Sequence, residues 1–260
     1  MTLERVVVFD LTGFMAHFRK YYTNTSALTY GFPPRTALMG IIAAMVGWER
    51  DSYYETLDRG RFGIGIKVPT RRLIQTVNYL RTKKEDLLEL RRLGRVPGTQ
   101  TPLEFLLPAA EHRSLRFRVF FSHPDATLLE EVAGRLRRGR TYYPLYLGLT
   151  ECPASAVWVG EVPAGSWEVV PPGSAVSLTT VINVELVEEL LLGAGGSPGR
   201  LVRERVPHSF GPGRTLRPPA SVIYENDGRP FRARLRVPAY RMRLSAGSQS
   251  AEETVAFLEG

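Results

Sequence analysis

The stretch from Phe9 to Gly47 constrains the fold more than any other part of this 260-residue chain. Residues 4–11 (ERVVVFDL) hold a dense β-branched run, which suits a buried strand. Residues 19–32 then bring together Arg19, Lys20, Tyr21, Tyr22, Asn24, Thr25, Thr29, Tyr30 and Phe32 with neither a helical nor a strand period. Pro33 and Pro34 lack backbone N–H groups and fit only the first turn of a following helix. In that helix Ala37, Leu38, Ile41, Ile42 and Met45 recur at one-face spacing, and Gly47 is a natural stop. Cations beside aromatics on a loop next to a sheet suit single-stranded RNA, with charge for phosphates and flat faces for bases. The plainer alternative is a surface loop whose tyrosines pack.

Charge sharpens the choice. The formal net charge is +8, and 30 of the 34 basic residues are arginine, whose planar fork suits phosphate. A GC-rich genome accounts for that bias equally well. The distribution says more: residues 1–150 carry 23 basic and 14 acidic groups, 151–199 none and six, and 200–260 eleven and six. Such one-signed regions steer an anionic partner. Cys152 is the only cysteine, which excludes an intrachain disulfide and cysteine-cluster metal sites and suits a reducing cytoplasm. No apolar run reaches the roughly 18 residues of a membrane span, and the first residues lack a signal-peptide pattern.

Further along, 61–68 reads as a strand, and 115–121 alternates Leu115, Phe117, Val119 and Phe121 against Arg116, Arg118 and Phe120. Ser122 or Asp125 then caps a helix burying Leu128, Leu129, Val132 and Leu136 that stops at Gly139. Residues 142–149 and 156–162 supply further strands. Strand, helix, strand, insertion, strand, helix, strand is the order of an α+β, ferredoxin-like or RRM-like fold. The insertion, 69–114, is basic and has a helical middle at 83–93. Its return through Leu103, Phe105, Leu106 and Leu107 reads as core anchorage. We expect a first domain over 1–165 and a β-rich C-terminal region over 166–260. In the latter, 183–192 reads as a short acidic helix, 193–199 as a flexible loop, and 201–208, 219–225 and 231–237 as strands. Arg232, Arg234 and Arg236 fall on one face of the last, as a binding stripe or simply a wet edge. Residues 245–260 read as polar and weakly helical, with little fixed structure.

Three segments carry a resemblance. They are Gly13-x-x-Ala16-His17-Phe18-Arg19 with Thr29-Tyr30-x-x-Pro33-Pro34-Arg35-Thr36-Ala37-Leu38-x-Gly40, then Gln100-Thr101-Pro102-x-x-Phe105-Leu106, then Tyr143-Pro144-Leu145-Tyr146-Leu147-Gly148. Together they resemble the CRISPR-associated Cas-five family, and most of all its type I-B variant. The resemblance implies a RAMP-type ferredoxin-like fold with residues 69–114 as a thumb. It also implies a subunit of a type I CRISPR surveillance (Cascade) complex, in antiviral defence, that caps the 5′ handle of the crRNA. The implied partners are that RNA, the repeated backbone subunit and the large subunit, with target DNA met only inside the complex.

On residue type and loop position, Arg19, Lys20, Arg35, Arg71, Arg72, Lys83 and Lys84 are assigned to phosphates. Tyr22, Tyr30 and Phe32 are assigned to base stacking, and Asn24 and Thr25 to base edges or 2′-hydroxyls. Some relatives cut precursor RNA without a metal, which needs a positioned base near a 2′-hydroxyl. Here His17 reads as packed or hydrogen-bonded, His123 as a turn residue, and His112 as the least implausible base. We expect a non-catalytic binder, with a metal-independent endoribonuclease as the alternative, and no cofactor or metal. No phosphate-loop or HExxH motif is present, and Gly60, Gly63 and Gly65 suit close packing in a strand better than a dinucleotide site.

Overall fold

The computed structural model describes residues 3–23, 27–81, 83–92, 94–96, 98–192, 199–246 and 249–259. Its elements are β1 (Val6–Gly13), α1 (Arg35–Val46), α2 (Tyr54–Asp58), β2 (Arg61–Ile66), β3 (Thr70–Leu80), α3 (Lys84–Arg91), β4 (Gly98–Pro108), β5 (Leu115–Ser122) and α4 (Ala126–Arg137). Then come β6 (Leu145–Tyr146), β7 (Pro153–Val162), β8 (Glu168–Val170), β9 (Ala175–Leu178), β10 (Ile182–Asn183) and β11 (Val187–Leu190). The chain continues through β12 (Leu201–Val206), β13 (Ala220–Glu225), β14 (Phe231–Leu235), β15 (Ala239–Ala246) and β16 (Gln249–Val255). The result is mixed α/β, with many strands and few helices.

The main sheet runs β2-β5-β1-β7-β6, with every neighbouring pair antiparallel. Its central strand, β1, is buried on both faces, which explains a nearly continuous apolar run. Val7, Phe9 and Leu11 share one cluster with Phe117, Val119 and Phe121 of β5, Leu38, Ile42 and Met45 of α1, and Leu129 and Val132 of α4. Val6, Val8 and Phe120 point the other way and are covered by Met242, Leu244, Val255 and Phe257. Each such side chain contributes roughly 1.5–3 kcal/mol by leaving water. The chain after residue 165 therefore shares clusters with the first sheet, and Val206, Val222, Tyr224 and Leu258 join the helix-side core as well.

Local signals set the helix ends. Gly47 adopts φ 84° and its N–H donates to the Ala43 carbonyl at 2.9 Å, closing α1. Between the two cap candidates, Asp125 is the one used: its carboxylate accepts from the Thr127 and Leu128 N–H groups.

Residues 69–114 form an eleven-pair antiparallel hairpin, β3–β4, with α3 near its tip. Leu103, Phe105 and Leu106 do anchor its return strand in the core, while Leu107 is only half-buried.

Three expectations are corrected. Residues 183–192 are not helical: Asn183 caps one 3₁₀ turn, and Val187–Leu190 then pair with β14 as a strand. Pairing with β14 overrides the helical propensity of Glu and Leu. The described residues of 245–260 are not loosely structured, because β15 and β16 pair from Tyr240↔Val255 to Ala246↔Gln249 and Ala256–Leu258 are buried. Of the strand expected over 142–149, only Leu145–Tyr146 pair. Most of the loop expected at 193–199 lies outside the described residues. Among those described, no helix is long and apolar enough to cross a membrane.

Candidate nucleic-acid interface

The loop after β1 folds back on itself. Lys20 N–H donates to Leu28 and Tyr30 N–H to Phe18, both at 2.9 Å, so Phe18–Lys20 and Leu28–Tyr30 pair as a short ribbon, with Tyr21 and Tyr22 in the turn at the tip of its first arm. The ribbon is stitched to β4 by the Glu104 N–H on the Ala27 carbonyl and by Ala16 pairing with Leu106. Tyr21 and Tyr22 are 39% and 50% exposed and meet edge to face at 5.1 Å. A tip held this way presents aromatic faces without having to be ordered first.

Two cavities flank the tip and share Tyr21. One, of about 710 Å³, is lined by Lys20, Tyr22, Arg71, Arg72, Arg200, Arg203 and Arg205, with Glu204 as its single carboxylate. The other, of about 620 Å³, is lined by Arg19, Tyr53, Tyr54, Tyr79, Phe210 and Arg214. The N-terminal turn of α1 lines it too, through Pro34, Thr36 and Ala37. That turn has no side-chain cap and no acid, so its free N–H groups add positive potential.

The cations divide into two kinds. Glu204 is buried between Lys20 Nζ at 2.7 Å and Arg72 at 3.1 Å, and it also accepts from the Tyr224 hydroxyl at 3.2 Å. Burial pushes the Tyr224 hydroxyl well up, with Glu204 adding to the shift, so it stays a donor. Lys20 is thereby a strut tying the ribbon to β12. Arg19, Arg71, Arg203 and Arg205 are exposed and touch no carboxylate among the described residues. Arg19 only donates to the Thr23 carbonyl at 3.2 Å.

Several assigned residues are thus corrected. Tyr30 and Phe32 are fully buried in the helix-side core, so neither presents a face to a base. The Phe32 ring packs edge to face on Tyr224 at 5.0 Å. Arg35 is 2% exposed. Its guanidinium pairs with Glu259 and Asp58 and donates to the carbonyls of Asp58, Gly60 and His208. No donor remains for a phosphate.

Lys83 and Lys84 are exposed beyond the far end of β3. Eight residues of rise separate Arg72 from Leu80, roughly 26 Å along the strand, so the lysines are not in the cluster around Arg71 and Arg72. Asn24 and Thr25 lie outside the described residues.

Sequence reasoning missed Arg203, Arg205, Tyr53 and Phe210. Their types gave a signal, but their approach to the loop depends on contacts between distant parts of the chain.

Two histidines are occupied. His17 Nδ1 lies 2.9 Å from the Glu104 carbonyl oxygen, and His123 Nε2 lies 2.9 Å from that of Thr56. His112 is at the surface, 3.7 Å from Glu111. Among the described residues, no group of three or more His, Cys, Asp or Glu is placed to hold a metal.

Comparison with known proteins agrees with this architecture. No curated protein sequence matches the chain. A crystal structure of a CRISPR protein from Archaeoglobus fulgidus is similar, with a TM-score of 0.53, 14% identity, and 96% of this chain and 98% of that one covered. A chain of a CRISPR RNA-guided surveillance complex is similar at a TM-score of 0.50 and 18% identity, covering 90% of this chain and 91% of that one. The family model described as CRISPR-associated protein (Cas_Cas5) matches residues 6–216. A match over that span, with the quoted segments inside it, makes this chain a member of the CRISPR-associated Cas-five family.

Proposed function

We propose that this protein is a non-catalytic, RNA-binding subunit of a type I CRISPR Cascade complex that caps the 5′ handle of the crRNA. The observation that carries the reading is the Tyr21–Tyr22 tip set between two cavities. Arg19, Arg71, Arg203 and Arg205 around it have no carboxylate partner among the described residues. Exposed aromatic faces supply sequence-tolerant stacking, and unpaired guanidiniums supply phosphate contacts. Similarity to a chain of a surveillance complex supports membership in such an assembly.

The β7-β1-β5-β2 order, with α1 and α4 as crossovers, supports the ferredoxin-like, RAMP-type reading. Family membership supports the proposed partners: the backbone subunit, the large subunit, and target DNA within the complex. Lys83, Lys84 and the exposed Leu73, Ile74 and Leu80 of the hairpin suit it as the thumb that meets RNA and a neighbour.

The non-catalytic reading is supported by His17 and His123, each with a ring nitrogen against a backbone carbonyl. The test is incubation with labelled repeat RNA in EDTA, run on native and denaturing gels at about 150 mM salt. A shifted, intact RNA that outcompetes a scrambled strand is the expected result. Discrete cleavage would move the protein to the endoribonucleases, and no shift would remove the capping role.

A further inference from the structure

A third groove, of about 560 Å³, lies on the far side of Tyr53 from the basic interface. Its floor is Gly40, Ala43 and Ala44 of α1, and Trp48, Tyr53 and Tyr143 form aromatic walls. Gly40 lets the Tyr53 hydroxyl close in, since a Cβ there would stand 3.2 Å from it, a tight contact. The Tyr142 and Tyr143 N–H groups donate to Met45 and Ala44 carbonyls at 3.0 Å, satisfying the last turn of α1 and fixing both rings over it. The Tyr142 ring also lies against Gly47.

These rings continue a series that starts inside the interface. Arg214 sits over Phe210 at 5.9 Å, Phe210 meets Tyr54 at 5.2 Å, and Tyr54 meets Tyr53 at 4.7 Å. Across the groove stands Tyr143, paired with Tyr142 at 4.8 Å. Tyr142 and Tyr143 are 62% and 43% exposed. Arg140 lines a small separate cavity with Met45 and Leu145, and both it and Arg138 are exposed, with no carboxylate partner among the described residues. The aromatic slot, lined also by Glu49 and Arg50, thus shares its Tyr53 wall with the basic interface.

We propose that a single-stranded nucleic acid bound at the basic interface continues past Tyr53 into this groove. One base stacks on Tyr143, and the phosphates that follow reach Arg138 and Arg140. The inference rests on the RNA-binding reading and extends it to a second subsite further along the same face of α1. A protein partner is the competing occupant, but the exposed Arg138 and Arg140 and the continuity through Tyr53 favour the nucleic acid.

The test uses the full chain and fluorescent oligouridines of about 6 and about 14 nucleotides, near the short and long ends of ordinary single-strand site sizes. Wild type is compared with Tyr143→Ala and with the Arg138→Glu/Arg140→Glu pair by anisotropy, after their melting temperatures are shown to match. Wild type should bind the longer strand more tightly. Both variants should lose at least about fivefold on the longer strand and nothing on the shorter one. Unchanged binding of the longer strand by the variants would overturn the subsite, while short-strand binding would keep the RNA reading intact and leave the groove to a protein. Equal losses on both strands would also overturn it. If wild type binds neither strand, the RNA reading fails and the subsite with it.

Discussion

Arg35 and Glu259, 224 positions apart in sequence, are ion-paired in the interior, where Glu259 also accepts from the Phe62 N–H at 2.9 Å. Asp58 takes a second side of the guanidinium at 2.7 Å. The pair pins the last described residues beneath the start of α1. Removing one partner of a buried pair strands the other charge, so Arg35→Ala should destabilise the protein by about 3–5 kcal/mol in urea unfolding. Stability within about 0.5 kcal/mol of wild type would mean that Arg35 is not a structural cation.

The same cluster sets a pH dependence. Burial pushes the His208 imidazole down to about 4, the nearby Arg35 acts in the same direction, and Asp58 opposes both. The unfolded chain takes up that proton near 6.5. Between these values the unfolded state binds more protons, so this contribution to stability is present above about 6.5 and is lost as pH falls toward about 4. Glu259, whose carboxyl burial pushes up, contributes with the opposite sign. The difference between wild type and His208→Gln therefore isolates the histidine. The variant's melting temperature should fall less steeply over that window, and parallel curves would count against a buried neutral imidazole.

Arg35 also marks where sequence stops being legible. The run at β1, the 115–121 alternation, the Asp125 cap and the Gly47 stop are all local signals, and each appears in the fold. Tyr22 and Tyr30 are the same residue type on the same loop, yet one is half exposed and the other fully buried. What separates them is core packing with distant residues, and Glu204, which takes Lys20, lies 184 positions further on. The helix expected at 183–192 failed for the same reason, since pairing with β14 outweighs local propensity. The arginines contributed by β12 became part of the site only through tertiary contact.

Gly148, which ends one of the motif segments, has φ 95°, and a Cβ there would stand 2.0 Å from the His17 carbonyl oxygen. That close approach lets the Leu147 carbonyl accept from the His17 N–H at 3.0 Å and seats the ribbon. Gly148→Ala combines positive-φ strain with a backbone clash. It should cost more than about 1 kcal/mol and weaken RNA binding together with stability. A variant as stable as wild type would show that the ribbon is not seated by this contact.

The two kinds of cation in the interface make opposite predictions. Arg71, Arg203 and Arg205 are free of carboxylates among the described residues, whereas Lys20 is held by buried Glu204. Each phosphate contact on a single strand contributes a slope of about 0.7 to the dependence of log affinity on log salt. Replacing the three arginines by alanine should lower the slope by about 2 in total and leave stability within about 0.5 kcal/mol of wild type. Lys20→Ala should do the reverse, costing about 1–3 kcal/mol because Glu204 loses its closest partner and keeps only Arg72 and the Tyr224 hydroxyl, while the slope measured on the folded fraction changes little. A double-mutant cycle with Glu204→Gln checks the assignment, since coupling appears only if the two residues act on each other. Should Lys20→Ala instead lower the salt slope and spare stability, Lys20 would be a phosphate ligand after all, and the ribbon would have to open for RNA to reach it.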